Sequence, residues 1–233
     1  MAQTPYKTAL IVGAGVGVSA SVARLLAKSG LKVGLAARNA DKLAPLAEEI
    51  GAETFCADAS DPAGAARLFE EADARLGEPD VVIYNAAARA RGRIIDLDPD
   101  QVRHAIEVTA FGGFLVVQQA ARRMTPHGRG AILLTGATAS VKGFPLSSAF
   151  AMGKFALRGL AQSAARELAP QGIHVAHFVI DGGIRSAIRP DPVDRPDSTL
   201  DPEAIAQTYL DVLRQARSAW TWEIELRPWV ESF

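Results

Sequence analysis

Short apolar runs alternate with amphipathic stretches along almost the whole chain of 233 residues. Six continuous runs predict buried strands at residues 7–13, 31–37, 52–58, 80–86, 130–136 and 172–180. Helical periodicity predicts helices at residues 18–30, 39–51, 61–77, 99–125, 148–170 and 201–217. This alternation indicates a mostly parallel sheet with helices on both faces. The handedness of strand–helix–strand crossovers makes it a doubly wound, Rossmann-type α/β fold.

Two segments near the end of the chain depart from that alternation. Residues 184–200 are rich in proline and mixed charges and follow the carboxyl end of the sixth strand. They predict either a lid or substrate loop over a ligand site or a solvated connector. In residues 218–229 large apolar side chains alternate with polar ones, which predicts a half-buried edge strand. Because neither a repeat nor a linker is evident, residues 1–233 are predicted to form one domain.

Charge and composition narrow the class of protein. The net charge is −1 and no basic cluster stands out, so neither nucleic acid nor an anionic membrane is expected as a partner. Cys56 is the single cysteine and is predicted to be a buried, inert thiol, while the four histidines lack the spacing of metal ligands. No membrane-length apolar run or signal-peptide layout is visible, so a cytoplasmic protein is expected.

The first predicted turn carries Gly13, Gly15 and Gly17, followed by Val18 at the start of a helix. Glycines at this place let the backbone approach a pyrophosphate, which the free amides and dipole of the helix N-terminus then stabilise. A tight turn without a ligand is the alternative interpretation.

Arg38 follows the second predicted strand, where an NAD-selective site would place a carboxylate. A guanidinium suits the 2′-phosphate of NADP(H), which is therefore favoured, with NAD(H) not excluded; a solvated surface arginine is the alternative. Asp58 ends the third strand and could accept a hydrogen bond from the adenine amino group. Helix capping is the rival role, although Asp61 would serve it better.

Together these features resemble the short-chain dehydrogenase/reductase family over nearly the whole chain. The family pattern TGxxxGxG is similar to residues 12–19, with Val12 and Ser19 replacing the threonine and the last glycine. The NNAG segment is half retained at residues 84–87, and the PG element corresponds to residues 181–182. The resemblance therefore adds cofactor-binding residues to those above: Asn85, Ala86, Ala87, Lys154, Asp181 and Gly182.

The family's Asn-Ser-Tyr-Lys catalytic set is mostly missing. Alignment on the Tyr-x-x-x-Lys helix places Lys154 at the lysine and Phe150 at the tyrosine, and Ala137 falls at the serine position. Thr109 falls at the asparagine position. In the family the tyrosine protonates the developing alkoxide, the lysine lowers its pKa and holds the nicotinamide ribose, and the serine steadies the substrate oxygen. A phenylalanine side chain cannot donate a proton, and an alanine side chain cannot donate a hydrogen bond.

The resemblance implies an NADP(H)-dependent oxidoreductase with an atypical active site and an unknown small-molecule substrate. Candidate proton donors are Lys154, Tyr84 and Thr138, although Tyr84 also suits the core and Lys154 also suits cofactor binding alone. A non-catalytic dinucleotide-binding protein and non-redox chemistry in the same pocket are the alternatives. The resemblance also implies a homodimer or homotetramer through the helices at residues 99–125 and 148–170.

One face of the second of these helices is rich in small and aliphatic side chains. It consists of Ala156, Leu160, Ala164 and Leu168, and the pattern suits either a subunit interface or an intramolecular core.

Overall fold

In the computed structural model, which describes residues 4–231, seven strands form one parallel sheet in the order β3-β2-β1-β4-β5-β6-β7. The strands are β1 (Thr8–Val12), β2 (Lys32–Ala37), β3 (Glu53–Cys56), β4 (Val81–Tyr84), β5 (Gly130–Thr135), β6 (Ile173–Ile180) and β7 (Glu223–Leu226). All six neighbouring pairs are parallel. The strand order reverses between β1 and β4, which confirms the doubly wound fold.

Seven α-helices cover the two faces of this sheet within the described residues. They are α1 (Val18–Lys28), α2 (Ala44–Ile50), α3 (Pro62–Arg75), α4 (Pro99–Ile106), α5 (Gly112–Met124), α6 (Ser148–Leu168) and α7 (Pro202–Leu213). Three of them begin at an Asp-Pro pair, with Asp61, Asp98 and Asp201 accepting hydrogen bonds from first-turn amides. Proline suits the first helical position because its missing N–H would have no partner there.

The strands are apolar at consecutive positions because helices pack on both faces. In β1, Ala9 and Ile11 belong to one apolar core, while Leu10 and Val12 belong to the other. This explains why β1 lacks the alternation of polar and apolar residues that a one-sided sheet shows. The predicted edge strand is confirmed as β7, which pairs with β6 alone.

The predicted helix at residues 99–125 is interrupted near its middle. Helix α4 runs into a π-helical turn at Glu107–Phe111, and α5 continues from there. Within this turn the Val108 carbonyl accepts a hydrogen bond from the buried Tyr84 hydroxyl. A π turn of this kind is frequent at functional sites, and here it contains Thr109.

The prediction that Cys56 is buried is wrong. Cys56 is exposed, and its thiol donates a 3.3 Å hydrogen bond to the carbonyl oxygen of Arg38. Because β3 is an edge strand, only its inward-facing side chain, Phe55, reaches the core, and the next residue faces solvent.

Residues 184–200 fold into an organised loop beyond β6. Ile184 and Leu200 form a parallel bridge at its base, and Asp191 accepts hydrogen bonds from Thr199 and from Arg185, the latter at 3.2 Å. Arg185 also pairs with Asp201 at the start of α7. These contacts close the segment on itself at the carboxyl edge of the sheet.

No helix within residues 4–231 combines the length and the apolar character needed to cross a lipid bilayer.

Candidate active site

The turn between β1 and α1 brings backbone close to backbone. Gly13 has a φ of +81°, and an added Cβ there would overlap Ala86. Its amide and that of Ala14 donate to the Ala36 carbonyl at 2.9 and 3.0 Å. The position therefore requires glycine for both its backbone conformation and its contact with the loop after β4.

Ser19, which replaces the last glycine of the family pattern, supports this turn. Its hydroxyl donates to the Gly15 carbonyl at 3.0 Å and accepts from the Gly15 amide at the same distance. Helix α1 has no acidic residue in its first turn, and Gly17 at its N-cap supplies no side chain to satisfy the first amides. The free amides and the helix dipole can thus bind an anion.

A cavity of about 490 Å³ opens beside this turn, between the carboxyl ends of β1 and β4. Its lining includes seven predicted cofactor residues: Gly13, Gly15, Arg38, Asp58, Asn85, Ala86 and Ala87. Their arrangement fits a dinucleotide, because glycine backbone, free helix amides and a cationic side chain share one cleft at the switch point of the sheet. Gly17 and Val18 stand next to it at the N-terminus of α1 rather than in its lining.

Lys42 and Ser60 are among the residues of this cavity that sequence reasoning missed. Lys42 is exposed on a 3₁₀ turn (Ala40–Leu43), so the cavity rim carries a second cation in addition to the exposed Arg38. Their spacing of four residues is the signal that could have identified it. Two adjacent cations strengthen the match to a phosphate group.

Asp58 lies in the cavity, and Asp61 caps α3 as predicted. The Asp58 carboxylate accepts hydrogen bonds from the Ser60 hydroxyl at 2.6 Å and the Ser60 amide at 2.9 Å. These bonds lower its pKa, with a smaller contribution from the Arg38 charge, so Asp58 is ionised at neutral pH. It therefore presents an acceptor oxygen to the cavity.

Asp181 and Gly182 lie outside that cavity lining, at the end of β6. The Asp181 carboxylate is buried and pairs with Arg227 at 3.1 Å. The backbone amide of Asp181 donates a hydrogen bond to the Leu226 carbonyl. Gly182 has a φ of +147° and packs against Pro228. These contacts fix the chain at the point where the 184–200 loop begins.

Lys154 and Phe150 lie on one face of α6, as predicted from their spacing. Lys154 is 3% exposed, and its Nζ donates a 2.6 Å hydrogen bond to the Thr135 carbonyl at the end of β5. Burial, with the positive charge of Arg89, lowers the pKa of Lys154 to about 7. The Phe150 ring is buried, and the Arg89 guanidinium carbon lies 4.1 Å from its centroid.

Ala137 begins a short 3₁₀ turn (Thr138–Ser140) after β5. Its amide donates to the Ser140 hydroxyl at 3.1 Å, and Ser140 is fully buried. Thr138 is half-buried next to Ala137. Thr109 is fully buried beneath Gly153, with its hydroxyl accepting from the Ala88 amide at 3.2 Å. It therefore holds the loop after β4 against α6.

Tyr84 occupies the core role that the sequence left open. Its side chain is 0% exposed, its hydroxyl is bonded to the Val108 carbonyl, and Gly112 leaves room for it. Burial raises the pKa of the phenol, so it resists ionisation. Although Tyr84 lines the large cavity, its one proton is already donated to the backbone.

Known proteins of similar sequence and fold support one family. The profile described as short chain dehydrogenase matches residues 7–192. An uncharacterized oxidoreductase of Staphylococcus aureus (strain N315) is 30% identical in an alignment of 231 positions that covers 95% of this chain and 97% of that protein.

Two solved structures extend the similarity. A short-chain dehydrogenase from Rhodopseudomonas palustris is 36% identical with a TM-score of 0.81, over 96% of this chain and 99% of that one. A metagenomic short-chain oxidoreductase in complex with NADP is 25% identical with a TM-score of 0.84, over 97% and 99%. The chain belongs to the short-chain dehydrogenase family.

Proposed function

We propose that this protein is an NADP(H)-dependent oxidoreductase that reduces an activated substrate, such as an electron-poor alkene or an iminium, with little help from a protein acid. The observation that carries the proposal is a cleft suited to a dinucleotide in a chain that has buried Phe150 and half-buried Ala137 where the family has its acid and its serine. The cleft has glycine backbone at its base and Arg38 and Lys42 at its rim. Its similarity to an NADP-bound relative supports the same dinucleotide.

The residues expected near the nicotinamide have different roles. A reduced nicotinamide, when bound, supplies a hydride. Phe150 and Ala137 donate no proton and no hydrogen bond to a substrate oxygen, while Lys154 holds a proton that its lowered pKa lets it release near neutral pH. The other proton donors that we propose are the Thr138 hydroxyl and water. A substrate that forms a stabilised anion, or one already carrying positive charge, needs no stronger acid.

The test is a substrate panel with purified protein and NADPH, following the nicotinamide absorbance. We expect enones or iminium compounds to be reduced and simple ketones to remain unreacted. Efficient ketone reduction would contradict the altered acid site. If no substrate leads to oxidation of NADPH, the proposed catalysis is contradicted.

A non-catalytic, dinucleotide-responsive binding protein is the second candidate. It is favoured by the combined absence of the tyrosine and serine, since Lys154 alone can serve cofactor binding. It predicts a thermal shift with NADPH and no turnover. Non-redox chemistry in the pocket would instead leave the protein's thermal stability unchanged by NADPH.

We further propose that the protein is a cytoplasmic homodimer or homotetramer assembled through residues 99–125 and 148–170. Exposed apolar side chains on both segments support this arrangement: Phe111, Phe114, Met152 and Phe155 are each 42–53% exposed. Ala164 and Leu168 pack in the core, whereas Ala156 is exposed, and the large exposed apolar side chains of α6, Met152 and Phe155, lie in its first part.

A further inference from the structure

A small cavity lined by arginine and aromatic side chains lies beyond Phe150. Its volume is about 190 Å³, and its lining includes Arg89, Arg91, Phe144 and Phe150. The loop after β4 supplies the arginines, and the loop before α6 supplies Phe144. A hydrogen bond of 3.2 Å from the Gly92 amide to the Leu146 carbonyl ties the two loops together.

Arg189 brings a third guanidinium to this region from the 184–200 loop. The turn from Ser186 to Arg189 is closed by two backbone hydrogen bonds. It places the guanidinium against Gly183, where an added Cβ would lie 3.0 Å from Nη1. Burial, followed by the charges of Arg189 and Arg91, lowers the pKa of Arg89, so both of these charges act on Arg89.

Neighbouring arginines of both loops are neutralised, but these three are not. Arg93 pairs with Asp96 at 3.6 Å, and Arg185 pairs with Asp191 at 3.2 Å. Within residues 4–231 no carboxylate lies within 4.0 Å of the nitrogens of Arg89, Arg91 or Arg189. Like charges held together without a counter-ion repel one another, and an oxyanion between them would relieve that repulsion.

We propose that an oxyanion of the substrate, a carboxylate or a phosphate ester, binds between Arg89 and Arg189, with the adjoining carbon skeleton against Phe150. The planar guanidinium groups match either oxyanion with paired hydrogen bonds. The ring that replaced the family's acid thereby becomes an apolar wall of an organic-acid site. This inference rests on the proposed function and names the substrate class for it.

Ligand binding tests the inference without hydride transfer. Protein loaded with NADP⁺ is titrated with benzoate, phenyl phosphate and neutral benzamide, followed by saturation-transfer NMR and calorimetry. We expect at least one of the two anions to bind roughly tenfold or more tightly than benzamide, since hydrogen bonds to charged groups are the strong ones. Comparing benzoate with phenyl phosphate distinguishes the two sources of the oxyanion.

Single-arginine variants test where the oxyanion binds. Arg89→Met and Arg189→Met should each weaken binding of the preferred anion roughly tenfold or more, while the matched Arg93→Met variant retains it. Affinity for NADP⁺ should be the same in all three variants. Equal binding of benzamide and both anions would overturn the inference. So would an equal loss in Arg93→Met, or a parallel loss of NADP⁺ affinity in Arg89→Met. Anion binding without any turnover would leave this inference standing and contradict only the proposed activity.

Discussion

The Nζ atom of Lys154 lies 5.8 Å from the centroid of the Phe150 ring, one helical turn away on α6. In the family that the chain belongs to, the resemblance places a tyrosine hydroxyl at the ring's position. Here the lysine donates to the Thr135 carbonyl instead. Lys154 is therefore buried next to a phenyl ring that has no hydroxyl for it to activate.

Restoring the hydroxyls should restore carbonyl chemistry. We expect the Phe150→Tyr, Ala137→Ser double variant to gain ketone or aldehyde reduction by roughly 10²-fold or more, because general acid catalysis contributes on that order. NADPH oxidation with a ketone panel measures the gain, and Phe150→Leu, Ala137→Ser is the matched control without a phenol. A double variant that binds NADPH as the parent does yet reduces no carbonyl would contradict an otherwise intact site.

The protonation state of Lys154 should set the pH profile. Its pKa is lowered to about 7, so Lys154 is a cation below that pH and neutral above it. If it supplies the proton, the rate falls as pH rises through about 7. The Lys154→Arg variant, which stays charged, should lose this dependence.

The Arg89→Met variant checks the cause of that shift. Because the Arg89 charge helps to lower the pKa of Lys154, its removal should move the midpoint of the profile to higher pH. A flat profile in the parent protein between pH 6 and 9 would assign Lys154 to cofactor binding alone.

Arg38 should determine the preference for the phosphorylated dinucleotide. We expect Arg38→Leu to weaken NADPH binding about tenfold or more and to leave NADH binding unchanged, because only NADPH offers a 2′-phosphate for a charge-assisted hydrogen bond. Calorimetry with both dinucleotides measures the ratio. Arg67→Leu is the matched control, since Arg67 is exposed and pairs with Asp61 on α3. A parent protein that binds NADH more tightly than NADPH would contradict the assignment.

His177 should make the fold sensitive to mild acid. It is fully buried between Gly136 and Glu223, and burial lowers its pKa to about 4 despite a 3.0 Å hydrogen bond to Glu223. Because the unfolded histidine takes up a proton near pH 6.5, the free energy of unfolding should fall between pH 6.5 and 4, by at most about 3 kcal/mol from this group.

Urea denaturation across that range measures the loss. The His177→Gln variant should show a shallower decline, whereas His127→Gln, at an exposed pair with Glu78, should follow the parent. Identical declines in His177→Gln and the parent would contradict the role of His177.

The exposed aromatic side chains on α5 and α6 should mediate self-association. We expect Phe155→Asp to convert the oligomer to monomer, because burying an unpaired carboxylate in an apolar interface is unfavourable. Light scattering after gel filtration measures the mass, and Val193→Asp in the fully exposed part of the 184–200 loop is the control. A monomeric parent protein would contradict the proposal.

The sequence by itself determined the fold and predicted seven residues of the large cleft. Apolar runs and glycines at fixed places dictate strands, turns and their alternation, so Gly13, Arg38 and Asp58 could be placed near one another in advance. That Phe150 stands four residues before Lys154 also requires no coordinates, and the resemblance to the family implies that Phe150 replaces the tyrosine there.

Only the tertiary structure decided what the side chains do with one another. Tyr84 is bonded to the π turn 24 residues away, and the Cys56 thiol is bonded to the Arg38 carbonyl 18 residues away, contacts between segments that periodicity cannot relate. The gathering of Arg89 and Arg189 is the clearest case. They are 100 residues apart in the chain, yet the Arg189 charge acts on Arg89 because both loops follow the carboxyl edge of the sheet.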